Sequence, residues 1–397
     1  MPDGREPMQI RTVESIAAIP AAAWDACAGD DNPFVGHAFL KALEDSHSVG
    51  ARTGWMPRHV VVEDGGGALL AAAPMYVKGH SNGEYVFDHG WAQAFERAGG
   101  RYYPKLQVAV PFTPVPGPRL LVRPGAAADE ARAALIHGLV EIAKRTGVSS
   151  LHVTFPHQGD AQQLADAGLM PRLGVQYHWA NKGYGSFEDF LADLSSRKRK
   201  AIRKERREAL ANGLTIRALS GGDDLRPRHW DAFFAFYMDT GDRKWGRPYL
   251  TRAFFDCIGA TMADRVVLML AEKDGRPVAG ALNLRGREAL YGRNWGCLGE
   301  FKFLHFETCY YQAIEYAIAH GLARVEAGAQ GEHKIQRGYL PVPTWSAHWI
   351  ADPAFAAAVD DFLKRERPAV EGEIRALAQY SPFRQGGERD GAVPERG

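Results

Sequence analysis

The segment 324–341, RVEAGAQGEHKIQRGYLP, concentrates groups able to do chemistry. A short strand, Arg324–Glu326, is expected to break into a glycine-punctuated turn holding Glu326, Gln330, Glu332, His333, Lys334, Gln336 and Arg337. Carboxylates and imidazoles move protons, and cations bind phosphate or carboxylate. Strand ends that open into glycine loops are where α/β folds place such work, because the strand fixes position and glycine lets a ligand approach the backbone. Two more clusters accompany it. ALYGRNWG (289–296) brings Tyr291, Arg293 and Trp295 to the end of a predicted strand, and Glu307 lies near the start of a helix predicted over 305–320. GDRKWGRPYL (241–250) groups Arg243, Lys244, Trp245 and Tyr249, cations beside aromatics that suit a stacked, charged ring such as a nucleotide.

A basic segment, SSRKRKAIRKERREALANG (195–213), carries eight Lys/Arg against two Glu, a local charge of +6. Ser195 or Ser196 can cap a helix there and Asn212-Gly213 can end it. Arg199, Arg203 and Arg206 share a face that suits phosphates, because guanidinium groups bind them in bidentate geometry.

The elements that position these groups occur twice. HVVVED (59–64), GALLAAAPMYV (67–77) and EYVFDHGW (84–91) read as a three-stranded meander with an Asp64-Gly65 turn. VVLMLAEKD (266–274), RPVAGALNL (276–284) and ALYGRNWG repeat it around Asp274-Gly275. Each meander leads to an amphipathic helix, a glycine and another strand: 129–146, Gly147 and SLHVTF, then 305–320, Gly321 and ARVEAG. The pattern predicts a duplicated α/β unit. The first copy inserts 92–123, with five prolines from Pro104 to Pro118, read as an extended loop in which Tyr102, Tyr103, Lys105, Phe112 and Thr113 could line a groove. Domains are expected at 1–183 and 184–384, with a disordered tail at 385–397. The first-copy counterpart of the polar turn, HVTFPHQG (152–159), has no acidic residue and no lysine. The site is therefore expected mainly in the second copy, with the proline-rich insertion closing over it.

The 397 residues are 46% hydrophobic and 24% charged, with net charge +1, so no global field draws nucleic acid or membrane. No apolar run is long enough to span a bilayer. Cys27, Cys257, Cys297 and Cys309 are scattered, which argues against a disulfide framework and a zinc site and fits a cytoplasmic setting. His305-Phe306-Glu307 mimics the H-x-E of zinc deaminases without the P-C-x-x-C partner, so no metal is expected.

NPFVGHAFLKALE (32–44), SRKRKAIRKE (196–205), RKWGRPYL (243–250), GALNLRGREALYGRNWG (280–296) and EAGAQGEHKIQRGYLP (326–341) resemble the FemAB-like branch of the GNAT acyltransferase superfamily. The resemblance is to bacterial predicted N-acyltransferases of peptidoglycan biosynthesis or recognition, over roughly residues 10–370. It implies two tandem GNAT-like domains, each a mixed, mostly antiparallel sheet flanked by helices, and acyl or aminoacyl transfer to an amine acceptor by direct attack. The donor it implies is a co-substrate, acyl-CoA or aminoacyl-tRNA, with no tightly bound cofactor. Arg293-Asn294-Trp295-Gly296 matches the first half of a Q/R-x-x-G-x-G/A pyrophosphate loop and departs at Leu298, which leaves the donor open between the two.

On that reading Glu326, Glu307 and His333 are the candidate bases, and Arg293 and Tyr291 orient the donor carbonyl. Lys334, Arg337, Gln330, Trp295, Arg243, Lys244, Trp245, Tyr249, Arg199, Arg203 and Arg206 are the candidate binding residues. The alternative is a non-catalytic RNA- or phosphoglycan-binding protein using the helix 197–207. Acceptor identity and oligomeric state are not legible.

Overall fold

The computed structural model describes residues 7–211, 213–222, 224–244, 248–328 and 331–384, the side chains of 242–244 excepted. Among them, eleven strands form one continuous sheet. From edge to edge its order is Leu214–Ser220, Val266–Lys273, Arg276–Arg285, Ala289–Cys297, Arg324–Glu326, Met170–Ala180, Leu340–Ile350, Ser150–Thr154, Lys105–Val108, Met75–Lys78 and Trp55–Pro57. A smaller sheet holds Gln9–Val13, His59–Glu63, Leu69–Ala73 and Leu121–Val122.

The second meander follows its sequence. Asp274 and Gly275 both adopt positive φ, 51° and 72°, the twist that a two-residue Asp-Gly turn gives a hairpin. The helix expected over 305–320 forms in three pieces, Leu304–Phe306, a π segment Glu307–Tyr311 and Gln312–Ala319. The polar turn winds into a short 3₁₀ helix, Glu332–Arg337.

The first meander departs from expectation in two places. Pro74 has no N–H for a ladder, and the segment 67–77 divides there. Leu69–Ala73 joins the small sheet and Met75–Lys78 the large one. Residues 84–91 form no strand, since Gly83 and Tyr85 hold φ of 80° and 60°, and His89 already begins the helix His89–Arg97. The third strand is Lys105–Val108, inside the insertion read as a loop; it runs antiparallel to Met75–Lys78 and parallel to Ser150–Thr154. Tyr102, Lys105, Phe112 and Thr113 are buried and Tyr103 is half-buried, and none of the five lines the cavity that opens between the halves.

The two halves exchange strands. Met170–Ala180 lies between Arg324–Glu326 and Leu340–Ile350, and Leu340–Ile350 in turn pairs with Ser150–Thr154. Apolar packing crosses the same boundary: Phe34 meets Tyr291 at 5.3 Å and Phe39 meets Phe254 at 5.6 Å, edge to face. Each such fully buried ring contributes roughly 1.5–3 kcal/mol. Among the described residues no helix is long and apolar enough to cross a membrane.

The pyrophosphate-like stretch Arg293–Gly296 lies within the strand Ala289–Cys297 rather than in a loop. Gly296 is needed for packing, because a Cβ there would sit 2.3 Å from the Phe236 carbonyl oxygen on the helix Pro227–Lys244. Gly296→Ala is expected to cost about 1–3 kcal/mol through this overlap, read as a lower urea midpoint.

Candidate active site

The parallel pairing of Ala289–Tyr291 with Arg324–Glu326 ends at Tyr291 and Glu326, and the two strands part beyond it. At the same level the ladder to Arg276–Arg285 slips by one residue: Leu282 pairs with Asn294 and Asn283 with Gly292, leaving Arg293 as the bulged residue. A bulge interrupts pairing and re-aims a side chain. Here a cavity of about 670 Å³ opens between the halves. Arg293, Trp295 and Lys334 line it from one side, and Tyr85, Phe155 and Arg172 from the other. A smaller cavity of about 100 Å³ shares Gly292, Arg293, Asn294, Trp295 and Ala327 with it and reaches His305, Cys309 and Tyr310.

The large cavity is cationic. Arg172, Arg293 and Lys334 line it, and among the described residues no carboxylate does. Arg172 donates to both oxygens of Glu366, at 2.8 and 2.7 Å. Arg293 donates to the Phe112 carbonyl and so ties the proline-rich insertion to the cavity wall. Lys334, 4% exposed, donates to the carbonyls of Ala327 at 2.6 Å and Gly328 at 3.1 Å. Burial pushes its ammonium down to about 8. Two carbonyls are weak counter-charges for a buried ammonium, so the site favours an anion. Phe87 and Tyr249 are exposed aromatics among the lining, 61% and 43%, and Tyr249 stacks on Phe112 at 4.7 Å.

Of the residues singled out in the sequence, Arg293, Trp295, Lys334 and Tyr249 line this cavity. The three candidate bases do not. Glu326 ends its strand and is not among the lining, although the next residue, Ala327, is. Its Oε1 accepts from Arg324 at 2.9 Å, while Oε2 is buried without a hydrogen bond, 3.7 Å from His178 Nε2. Burial pushes this carboxyl up to about 7, against the pull of Arg324. Glu307 is fully buried and accepts from Arg206 at 2.9 Å and Gln312 at 2.8 Å. His333 is exposed, 3.0 Å from the Tyr310 hydroxyl.

The other expected residues contact neighbours within the protein. Tyr291 packs on Phe34, and Arg337 donates to Glu205 at 2.9 Å and lies 3.5 Å over the Phe306 ring. On the basic helix, Ser196–Ala209, Arg203 pairs with Glu188 at 2.5 Å and Arg206 with Glu307 and Glu315. Arg197, Arg199, Lys200 and Arg207 make no ion pair with the described residues. Gln330 and Trp245 lie outside the described residues, as do the side chains of Arg243 and Lys244.

The charge that sequence reasoning missed is in the first half. Lys105 Nζ donates to Ser81 Oγ at 2.8 Å, to Glu84 Oε2 at 2.7 Å and to Asp88. Lys78 Nζ lies 3.6 Å from Glu84 Oε1 and 3.7 Å over the Trp55 ring. All four charged groups are buried. Burial lowers Lys78 to about 7 and raises Glu84 to about 7. The turn after SLHVTF does lack acids and lysines, but the charges arrive from other segments and meet beside the cavity-lining residue Ser81. The available signal was the alternation of polar and apolar residues in KLQV and SLHVT. Among the described residues, no group of three His, Cys, Asp or Glu could hold a metal ion.

Residues 15–385 match the model of a family described as FemAB-like, peptidoglycan biosynthesis/recognition. The chain belongs to the FemAB-like family. Its fold is similar to that of FemX, with TM-score 0.54 and 13% identity over 89% of this chain and 100% of that one. It is also similar to L-PGS from Bacillus licheniformis, with TM-score 0.51 and 10% identity over 85% of this chain and 98% of that one. A tandem GNAT protein from clavulanic acid biosynthesis overlaps more loosely, at TM-score 0.45 and 12% identity over 87% and 99%. No functionally curated protein matches the sequence. This FemAB-like chain has a mixed α/β fold built on one shared sheet, similar to that of FemX.

Proposed function

We propose that this FemAB-like chain is an N-acyltransferase that passes an acyl or aminoacyl group to an amine on a peptidoglycan precursor. The observation that carries the reading is the cationic cavity at the parting of the strands beyond Tyr291 and Glu326. An acyl ester or thioester on a phosphate-bearing carrier presents anionic oxygens to bind and a carbonyl to polarise. Lys334 and Arg293 take the anionic part. The amine then attacks the carbonyl directly: a C–N bond forms, the C–O or C–S bond to the carrier breaks, and the amine gives up a proton. Holding both partners in one cavity supplies the proximity that a bimolecular reaction lacks.

The test incubates the full chain with an amine-bearing precursor peptide and either acetyl-CoA or mixed aminoacyl-tRNAs, and weighs the amide product by mass spectrometry. Ribonuclease removes a tRNA-driven product and spares a CoA-driven one. A folded protein that forms no amide from either donor rejects the reading. If that protein also binds RNA, and charge reversal at Arg197, Lys200 and Arg207 eliminates the binding, the basic helix is its working part. Lys334→Met keeps the aliphatic stem and removes the charge. It is expected to raise the donor KM by about 10–100-fold, the worth of hydrogen bonds to a charged group.

A further inference from the structure

A hydrogen-bonded chain leads from the cavity into the buried charges of the first half. Ser346 lines the cavity, and its Oγ lies 2.9 Å from His348 Nε2. His348 Nδ1 meets His152 Nδ1 at 2.7 Å. His152 Nε2 lies 3.2 Å from the Tyr102 hydroxyl and 2.8 Å from Ser150 Oγ. Tyr102 donates to Asp88 Oδ2 at 2.7 Å, and Lys105 bridges Asp88 to Glu84. His348 and His152 are opposite partners on strands from different halves, so strand exchange itself makes the central link.

Contact between two Nδ1 atoms sets the protonation. One ring donates and the other accepts, so a single proton lies between them. Burial keeps both rings neutral, His152 lowered to about 3 and His348 well below its usual value. A neutral imidazole can take a proton at one nitrogen and release one from the other. With Nδ1–H on His348, Ser346 donates to His348 Nε2, and His152 Nε2–H points toward Tyr102 and Ser150. Every donor then faces the same way, from the cavity toward Asp88. With the opposite tautomers the chain faces back. At its far end Lys105 donates to Glu84 Oε2 at 2.7 Å, the oxygen to which a proton can pass.

We propose that Ser346, His348, His152, Tyr102, Asp88, Lys105 and Glu84 form a reversible proton relay for amide formation in the cavity, a role that rests on the acyl-transfer reading. As the C–N bond forms, the amine proton passes to Ser346. The Ser346 proton moves to His348, that of His348 to His152, that of His152 to Tyr102, and that of Tyr102 to Asp88. Lys105 gives a proton to Glu84 and takes the one on Asp88. As the C–O or C–S bond breaks, the same protons step back and Ser346 protonates the leaving oxygen or sulfur. The rings return to their first tautomers, and no proton is gained or lost. Ser346 is the catalytic residue, and the two histidines act through it.

The test uses whichever donor gives amide with the wild-type chain. His348→Gln and His152→Gln keep hydrogen-bonding groups but cannot exchange one nitrogen for another. Each is expected to lower kcat by about 100-fold with KM unchanged, the usual worth of general acid–base help. The wild-type rate should depend on the deuterium fraction of the solvent along a curve, several protons moving together, and the variant rates along a straight line. Variants that keep the wild-type kcat and the curve overturn the relay while leaving acyl transfer intact. No amide from the wild type with either donor removes the transfer reading and the relay's role together. Should the variants misfold, the wild type decides by nitrogen-15 histidine NMR. A low-field proton coupled to one nitrogen of each ring is expected, and its absence overturns the relay.

Discussion

Glu326→Gln is expected to stabilise the fold by about 3 kcal/mol at about pH 8, the free energy of moving the carboxyl from 4.5 to about 7. The folded chain binds this proton more tightly than the unfolded chain does. Below 4.5 both states carry it, and wild type and variant should match. As pH rises from 4.5 to about 7 the wild type loses stability, and above that it bears the whole penalty. Glutamine has no proton to lose and still accepts from Arg324. Denaturant midpoints of both proteins at about pH 4 and about pH 8 check the sign. Turnover in the variant should stay within about tenfold of wild type, because the side chain does not line the cavity. A hundredfold loss would instead make Glu326 the proton acceptor and weaken the case for the relay.

Arg206→Ala is expected to cost about 3–5 kcal/mol, the usual effect of removing one partner from a buried ion pair. Glu307 is fully buried at the start of the π segment, and without Arg206 it keeps only the Gln312 amide among the hydrogen bonds found here. The double variant Arg206→Met with Glu307→Gln should recover most of the loss, since the uncompensated charge goes with the carboxylate. A fall in urea midpoint with recovery in the double variant identifies a structural pair. Lost RNA binding at unchanged stability would instead return Arg206 to the phosphate-binding face that the sequence suggested.

Much of the fold could be read locally. Val266–Lys273 and Arg276–Arg285 are visible because their turn is Asp-Gly, which adopts the required positive φ, and because apolar runs flank it. The helix Ser196–Ala209 starts directly after Ser195, where the sequence placed it, although the Ser195 side chain makes no capping hydrogen bond. The first meander misled because Pro74 and Tyr85 break a run that looks continuous, while Lys105–Val108 lies among prolines that disguise it. At the candidate site, Arg293, Trp295, Lys334 and Tyr249 were legible as polar or aromatic residues beside a strand end or turn. Arg172 and Ser346 were not, since each sits within a long strand with ordinary neighbours.

By itself the sequence determined the second meander, its Asp-Gly turn and which residues share a strand face, because these depend on neighbours a few positions apart. Alternation in SLHVT and KLQV shows that Ser150, His152 and Thr154 share a side, as do Lys105 and Gln107. It does not show what covers that side. Only the tertiary structure decided that the polar face is buried beneath residues around Ser81, Asp88 and Tyr102 and joined to a strand that enters from the other half. Burial turns an ordinary amphipathic pattern into a network of shifted acids, lysines and neutral histidines, because desolvation acts through distant chain segments that no local pattern can reveal.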